Sequence, residues 1–242
     1  MGIIAAFFDI DGTIYREGLI TELFKKMINY DLIDMSKWHT EVRPAFLDWD
    51  KRKGDYDTYL QKMVEVYKEA LEGMHPFHME YAAKKVVEQK GERVYTFSRS
   101  KIKWHQQQGH KVIAISGSPI ELVREMSNKY GMDDYRGTIY QKNTQGTYNG
   151  KVIPMWDSVS KQKAMRELVK KYEIDLNKSY AYGDTAGDFT MFQMVGYPFA
   201  INPTKELLTK ILEDIELRHK IQVVVERKDV TYFLNIEKIQ FQ

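Results

Sequence analysis

The stretch Phe8-Asp9-Ile10-Asp11-Gly12-Thr13 sets two carboxylates two positions apart with a glycine directly behind them. In extended backbone, residues two apart point the same way, so Asp9 and Asp11 are expected to reach one metal ion and one substrate group together. The run Ile3 to Phe8 before them is continuously apolar, as in a buried parallel strand that delivers side chains from its carboxyl end. That end is where open α/β sheets bind ligands. An Asp-rich turn closing a strand, with Gly12 at positive φ, accounts for this motif alone; it does not account for the three polar groups that follow in the same setting.

The first of these is Ser116-Gly117-Ser118-Pro119, after the apolar residues Ala114 and Ile115. A hydroxyl and the free amide of Gly117 near a helix N-terminus suit an anion such as phosphate. The same residues also read as an ordinary N-cap with proline at the first helical position. The second is Gly183-Asp184-Thr185-Ala186-Gly187-Asp188, again between a strand and a helix. A hard divalent cation such as Mg2+ takes oxygen ligands and keeps several waters, so Asp9, Asp184 and the carbonyl of Asp11 would suffice to hold it. The third is Lys161, at the start of a helix, whose charge would offset a phosphoryl group and the clustered aspartates. Lys163 competes for that role.

The elements that must position these residues alternate along the chain. Strands are expected over Lys111 to Ile115, Ser179 to Tyr182 and Phe199 to Ile201. Helices are expected up to Gln108-Gly109 and over Pro119 to Tyr130, Lys161 to Tyr172, Asp188 to Met194 and Thr204 to Leu212. Gly-rich turns are expected after Tyr130, and Gln222 to Glu226 with Val230 to Leu234 reads as a hairpin or a pair of edge strands. Such alternation implies an α/β fold, a Rossmann-like, mainly parallel sheet covered by helices. Between about Arg16 and Lys90 the pattern turns helical instead. Leu19, Ile20, Leu23, Phe24, Met27 and Ile28 form one apolar face, and Leu60, Met63, Val64, Tyr67 and Leu71 form another. The expected organisation is therefore a core domain of residues 1–15 and 91–242 with a small helical domain, 16–90, inserted.

Composition narrows the function. The chain has 242 residues, 36 basic against 34 acidic, a formal net charge of +2, and no cysteine. The near balance gives no global field to recruit nucleic acid or an anionic membrane. The missing cysteines rule out disulfides, thiolate metal sites and cysteine nucleophiles, and fit a cytoplasmic location. The apolar N-terminal run is short and lacks a basic leader, unlike a signal peptide. No segment is long enough to span a bilayer. Two further features have plain readings. His75-Pro76-Phe77-His78 is read as a surface turn rather than a metal site, and the basic stretch Lys84 to Lys111, eight Lys or Arg against two Glu, as a solvated helix face.

In order and spacing these motifs resemble the haloacid dehalogenase superfamily, in its phosphoserine-phosphatase-like branch with a helical cap inserted after the first motif. Asp9-x-Asp11-Gly12-Thr13 looks like that family's first motif, Ser116 its second, Lys161 its third, and Gly183-Asp184 with Asp188 its fourth. The segment from Gly137-Thr138 to Gly150-Lys151 resembles the connection between the second and third. The resemblance implies a Mg2+-dependent phosphatase acting on a small phosphorylated metabolite, as a monomer or homodimer. Asp9 would be the nucleophile and Asp11 the acid and base. Asp9, Asp11 and Asp184 would hold the metal, Thr13, Ser116, Gly117 and Lys161 would bind the phosphoryl group, and Asp188 would support them. A dehalogenase would need neither Asp11 nor Mg2+; a phosphoryl-transferring mutase and a non-catalytic phosphometabolite-binding protein are the alternatives. The likeness stops short of the head-group site. Gly187 stands where phosphoserine phosphatases carry Asn, Glu17 is shifted by one from their cap Glu, and no Arg lies near Met63 to Glu65. The aromatics Trp38, Trp49, Tyr56, Tyr59 and Tyr67 are expected to pack the insert's core rather than to line a pocket.

Overall fold

The chain's apolar opening becomes β1 (Ala5–Phe8), fully buried in the middle of an eight-stranded sheet of the computed structural model, which describes residues 2–54 and 56–239. Side chains of β1 alternate between two cores. Ala6 and Phe8 enter one apolar cluster and Ala5 and Phe7 the other, the period-two pattern of a strand covered on both faces. Its neighbours β2 (Lys111–Pro119) and β5 (Tyr180–Gly183) both run parallel to it. Beyond β2 lie β3 (Asp134–Lys142), parallel, and β4 (Tyr148–Ile153), antiparallel. Beyond β5 lie β6 (Tyr197–Ile201) and β7 (Gln222–Arg227), both parallel, then β8 (Val230–Leu234), antiparallel. The order is β4-β3-β2-β1-β5-β6-β7-β8. Connections leave β1 toward β2 on one side and later cross to β5 on the other, which opens a crevice at the carboxyl ends of these three strands.

Among the described residues, the insert that follows β1 carries α1 (Leu19–Asn29), α2 (Met35–Lys37), α3 (Arg43–Asp50), α4 (Tyr56–Leu71) and α5 (Pro76–Lys90), with a π-helical stretch, Trp38–Val42, before α3. The fold is thus the expected α/β core with a helical cap inserted. The cap packs into the same apolar cluster as one face of the sheet, which runs unbroken from Phe8 through Leu23, Met63 and Met79 to Leu122. Backbone bonds tie its far end to β4, with Gly73 N–H on the Tyr148 carbonyl at 2.9 Å and Tyr148 N–H on the Met74 carbonyl at 3.1 Å. Helices α6 (Thr96–Gln107) and α7 (Ile120–Lys129) complete this face. Helices α8 (Ser158–Tyr172), α9 (Phe189–Met194), α10 (Lys205–Glu213) and α11 (Ile215–Lys220) cover the opposite one.

Four sequence expectations need correction. The residues after Tyr130 form the β3–β4 hairpin, not turns alone. Gly137 lies inside β3, where a Cβ would come within 2.8 Å of the Ile120 Cα, so close packing explains a glycine that reads as a breaker. Helix α11 falls where no helix was expected. Strand β2 continues to Pro119 and α7 begins at Ile120 with no side-chain cap, so Ser118 is not an N-cap. Finally, β1 ends at Phe8. Its pairing persists only to Asp9, whose N–H donates to the Tyr182 carbonyl at 2.9 Å, and the strand-alternation argument therefore does not reach Asp11.

The insert's aromatics pack as expected. Trp38 lies against Phe24 and Phe46, Trp49 stacks on the buried Tyr59 with ring centroids 5.7 Å apart, and Tyr67 meets Tyr140 edge-on. The Tyr56 side chain lies outside the described residues. His75 caps α5, its Nδ1 accepting the Phe77 N–H at 3.2 Å, and His78 sits exposed in the first turn. Among the described residues no helix is long and apolar enough to cross a membrane.

Candidate active site

Past β1 the chain folds into a tight turn. The Ile10 carbonyl accepts the N–H groups of Thr13, Ile14 and Tyr15, and Gly12 adopts φ +77°. A Cβ on Gly12 would lie 1.9 Å from Asp184 Oδ2, so both the conformation and the space require glycine. This turn brings the end of β1 against the end of β5, and three carboxylates meet there. Asp9, Asp184 and Asp188 each offer an oxygen, and these atoms all lie within 4.8 Å of one another.

Lys161, buried in the first turn of α8, holds the cluster together. Its ammonium donates to Asp9 Oδ1 at 2.8 Å and to Asp188 Oδ1 at 2.5 Å. The competing Lys163 is exposed. The other Asp188 oxygen accepts the N–H groups of Asp184 and Thr185 and the Thr185 hydroxyl. Asp188 is thereby used up on the protein itself and orients both the lysine and the Asp184 loop. The Thr13 side chain is also fully buried, and its hydroxyl donates to Asp184 Oδ1 at 3.1 Å rather than facing the crevice. Its carbonyl accepts the hydroxyl of the buried Ser98 at 2.6 Å.

Packing like charges away from water sets the electrostatics. Burial, together with repulsion from Asp188 and Asp11, raises Asp9 to about 8 against the pull of Lys161. Burial and the charges of Asp9 and Asp188 push Asp184 well above the usual carboxylate range. Burial disfavours the Lys161 ammonium, but Asp188 and Asp9 outweigh it and hold the lysine above its ordinary value. One buried cation does not balance these acids. Among the described residues, no donor reaches Asp9 Oδ2 or Asp184 Oδ2. Two unpaired hard oxygens, with Asp184 Oδ2 in space that Gly12 leaves open, fit a small divalent cation.

Asp11 stands apart from this cluster. Its Oδ1 accepts the N–H of Leu19, the first residue of α1, at 2.6 Å. Its Oδ2 accepts the Ser118 hydroxyl at 2.6 Å and the Ser116 hydroxyl at 3.4 Å. Burial raises Asp11 against the effect of these bonds. Ser116 and Gly117 lie at the expected place, the end of β2.

Sequence reasoning missed Ser118, although a second serine two positions after Ser116 in extended backbone points to the same side. It also missed the loop before α8. A Cβ on Gly117 would come within 2.9 Å of Trp156 Cβ, and one on Gly187 within 2.4 Å of the Trp156 carbonyl oxygen. That loop thus wedges between the turns carrying Ser116 and Asp188, and no local signal around Trp156 announces it.

Residues 6–193 match the haloacid dehalogenase-like hydrolase family. The chain belongs to that family. Among curated relatives it is 28% identical to the "Inhibition of morphological differentiation protein" of Streptomyces azureus, over 86% of this chain and 75% of that one. It is 22% identical to the histidinol-phosphatase of Neisseria meningitidis, over 84% of this chain and 91% of that one. A substrate-bound phosphoserine phosphatase structure superposes with a TM-score of 0.57 at 19% identity, covering 88% of this chain and 98% of that one. As a member of this family the chain is a hydrolase with a Rossmann-like core and a helical cap.

Proposed function

We propose that this hydrolase is a phosphatase that cleaves small phosphomonoesters through an aspartyl-phosphate on Asp9. The observation that carries the reading is the Asp9 carboxylate itself. Lys161 fixes one of its oxygens, no donor among the described residues reaches the other, and a second acid two residues on, Asp11, is held by its own set of donors. A carboxylate so held is placed to attack phosphorus, while a neighbouring acid protonates the departing alcohol and later deprotonates the water that releases phosphate. Raising Asp11 by burial suits the acid half of that cycle.

The remaining residues divide the work. Lys161, the Ser116 hydroxyl and the Gly117 amide neutralise and orient the transferring group. Thr13 and Asp188 touch no substrate in this scheme; Thr13 holds Asp184, and Asp188 holds Lys161. Asp9, Asp184 and the carbonyl of Asp11 would hold Mg2+, which offsets the repulsion between anionic nucleophile and anionic ester. Residues 16–90 act as the cap over the core of 1–15 and 91–242, and the cap selects the leaving group. The histidinol-phosphatase relative and the phosphoserine phosphatase likeness support a phosphorylated metabolite as substrate. A cytoplasmic enzyme acting on soluble metabolites fits this reading.

The test is phosphate release from a panel of phosphomonoesters, including phosphoserine, histidinol phosphate, phosphoethanolamine, sugar phosphates and nucleotides, with Mg2+ and with EDTA. Metal-dependent release supports the proposal. Silence across the panel, or transfer of phosphate only to a sugar hydroxyl, overturns it.

A further inference from the structure

We propose that Ser118 is a positioning residue that aims Asp11 for proton transfer, leaving Ser116 to bind the phosphoryl group. The inference rests on the phosphatase reading and goes beyond it, because two serines of one strand end are given different tasks. Ser118 is 3% exposed and donates its hydroxyl to Asp11 Oδ2 at 2.6 Å, a short charge-assisted bond. Ser116 approaches the same oxygen only to 3.4 Å, near the limit of a hydrogen bond. Its own oxygen instead accepts the Ser118 backbone N–H at 3.2 Å. That bond occupies an acceptor position of Ser116, and its single hydroxyl proton is held on Asp11 only by the long 3.4 Å contact, which a bound anion can displace.

Among the described residues, the Ser118 hydroxyl bonds to nothing but Asp11. Helix α7 begins two residues later without a side-chain cap. Asp11 is therefore gripped from two sides, by Ser118 of the core at Oδ2 and by the Leu19 amide at Oδ1. With both oxygens held, the carboxyl plane is fixed. In the transfer step the bond from phosphorus to the leaving oxygen breaks, a bond from Asp9 to phosphorus forms, and the Asp11 proton moves to the leaving oxygen. A misaimed Asp11 slows this step only where the leaving oxygen needs that proton.

The experiment compares kcat/KM on p-nitrophenyl phosphate, whose phenolate departs without a proton, with kcat/KM on the best alkyl phosphate of the panel. For Ser118→Ala the alkyl-to-aryl ratio is expected to fall roughly tenfold to a hundredfold, part of what acid catalysis supplies. Ser118→Thr, which keeps the hydroxyl, should restore the ratio, and Ser116→Ala should lower both esters together. Ser118→Cys, close in size with a weak donor, gives the same contrast if the alanine variant does not fold. An unchanged ratio in a variant of an active wild type overturns the role of Ser118 alone. A wild type inactive on both esters overturns the phosphatase reading and this inference with it.

Discussion

The Lys161 ammonium and the Asp188 carboxylate form an ion pair 2.5 Å apart that is almost wholly removed from water, with side chains 3% and 0% exposed. Ion pairs this deep are held by the rest of the protein rather than adding much stability of their own, and breaking one strands a charge. Lys161→Met is expected to cost about 3 kcal/mol or more in denaturant unfolding, because Asp9 and Asp188 lose the cation they share. Adding Asp188→Asn to it should recover part of that loss. Turnover should fall at least about a hundredfold in either variant, the scale seen when a donor to a developing charge is removed.

Asp9→Asn separates chemistry from folding. The substitution keeps shape and removes one of three crowded acids, so thermal stability should hold or rise. Phosphate release should drop to background, since an amide oxygen is no nucleophile. Appreciable residual hydrolysis would show that Asp9 is not the residue that attacks.

Acidity at Asp9 predicts how a cation and pH interact. Its folded value of about 8 lies above the ordinary 3.8, so its contribution to stability without metal is fully present below about pH 4 and is lost as pH rises through 8. A cation binds the ionised carboxylate and stabilises only the folded state. The Mg2+-induced rise in Tm should therefore grow from pH 6 to pH 9 and vanish in Asp184→Asn. A shift that is flat with pH, or that survives in Asp184→Asn, would argue against a site on these two carboxylates.

The order Asp9, Ser116, Lys161, Asp184 could be read from the sequence because each residue follows an apolar run or opens a helix, and such signals are local. The central parallel strands were legible for the same reason. Ser118, Trp156 and the task of Thr13 were not. Each is defined by a partner far along the chain: Ser118 by Asp11, Trp156 by Gly117 and Gly187, Thr13 by Asp184. The β3–β4 hairpin was hidden because Gly137 is there for the approach of Ile120, a tertiary demand that looks like a turn when only neighbours in sequence are considered.

His105 should set part of the acid limit of the fold. Its ring is fully buried, with Nε2 2.9 Å from the Tyr182 hydroxyl and Nδ1 2.8 Å from His110 Nδ1. Burial, then the charges of His110 and Lys101, depress it from 6.5 to about 3. A depressed base binds its proton in the unfolded chain first. Its contribution is present above about pH 6.5 and is lost as pH falls toward 3, on the order of 3 kcal/mol of it by pH 4.5. Urea unfolding between pH 7 and 4.5 should show a flatter stability profile for His105→Gln than for the wild type. Parallel profiles would mean that His105 takes up its proton in the fold as readily as in the unfolded chain.

Gly187 is one of the positions at which the sequence departs from the phosphoserine-phosphatase pattern, and the structure supplies a physical reason. A Cβ there would meet the Trp156 carbonyl oxygen at 2.4 Å. Restoring Asn at 187 would therefore push the loop of residues 154–157 outward instead of adding a contact for phosphate. Asp157 of that loop caps α8, accepting the Ser160 N–H at 2.8 Å, and Lys161 sits in the helical turn so fixed. Gly187→Asn is expected to destabilise by about 1–3 kcal/mol, the range for overpacking a tight site, and to lower kcat on every phosphomonoester as Lys161 shifts from Asp9. A selective gain on phosphoserine with unchanged stability would instead mean that the loop yields without moving the lysine.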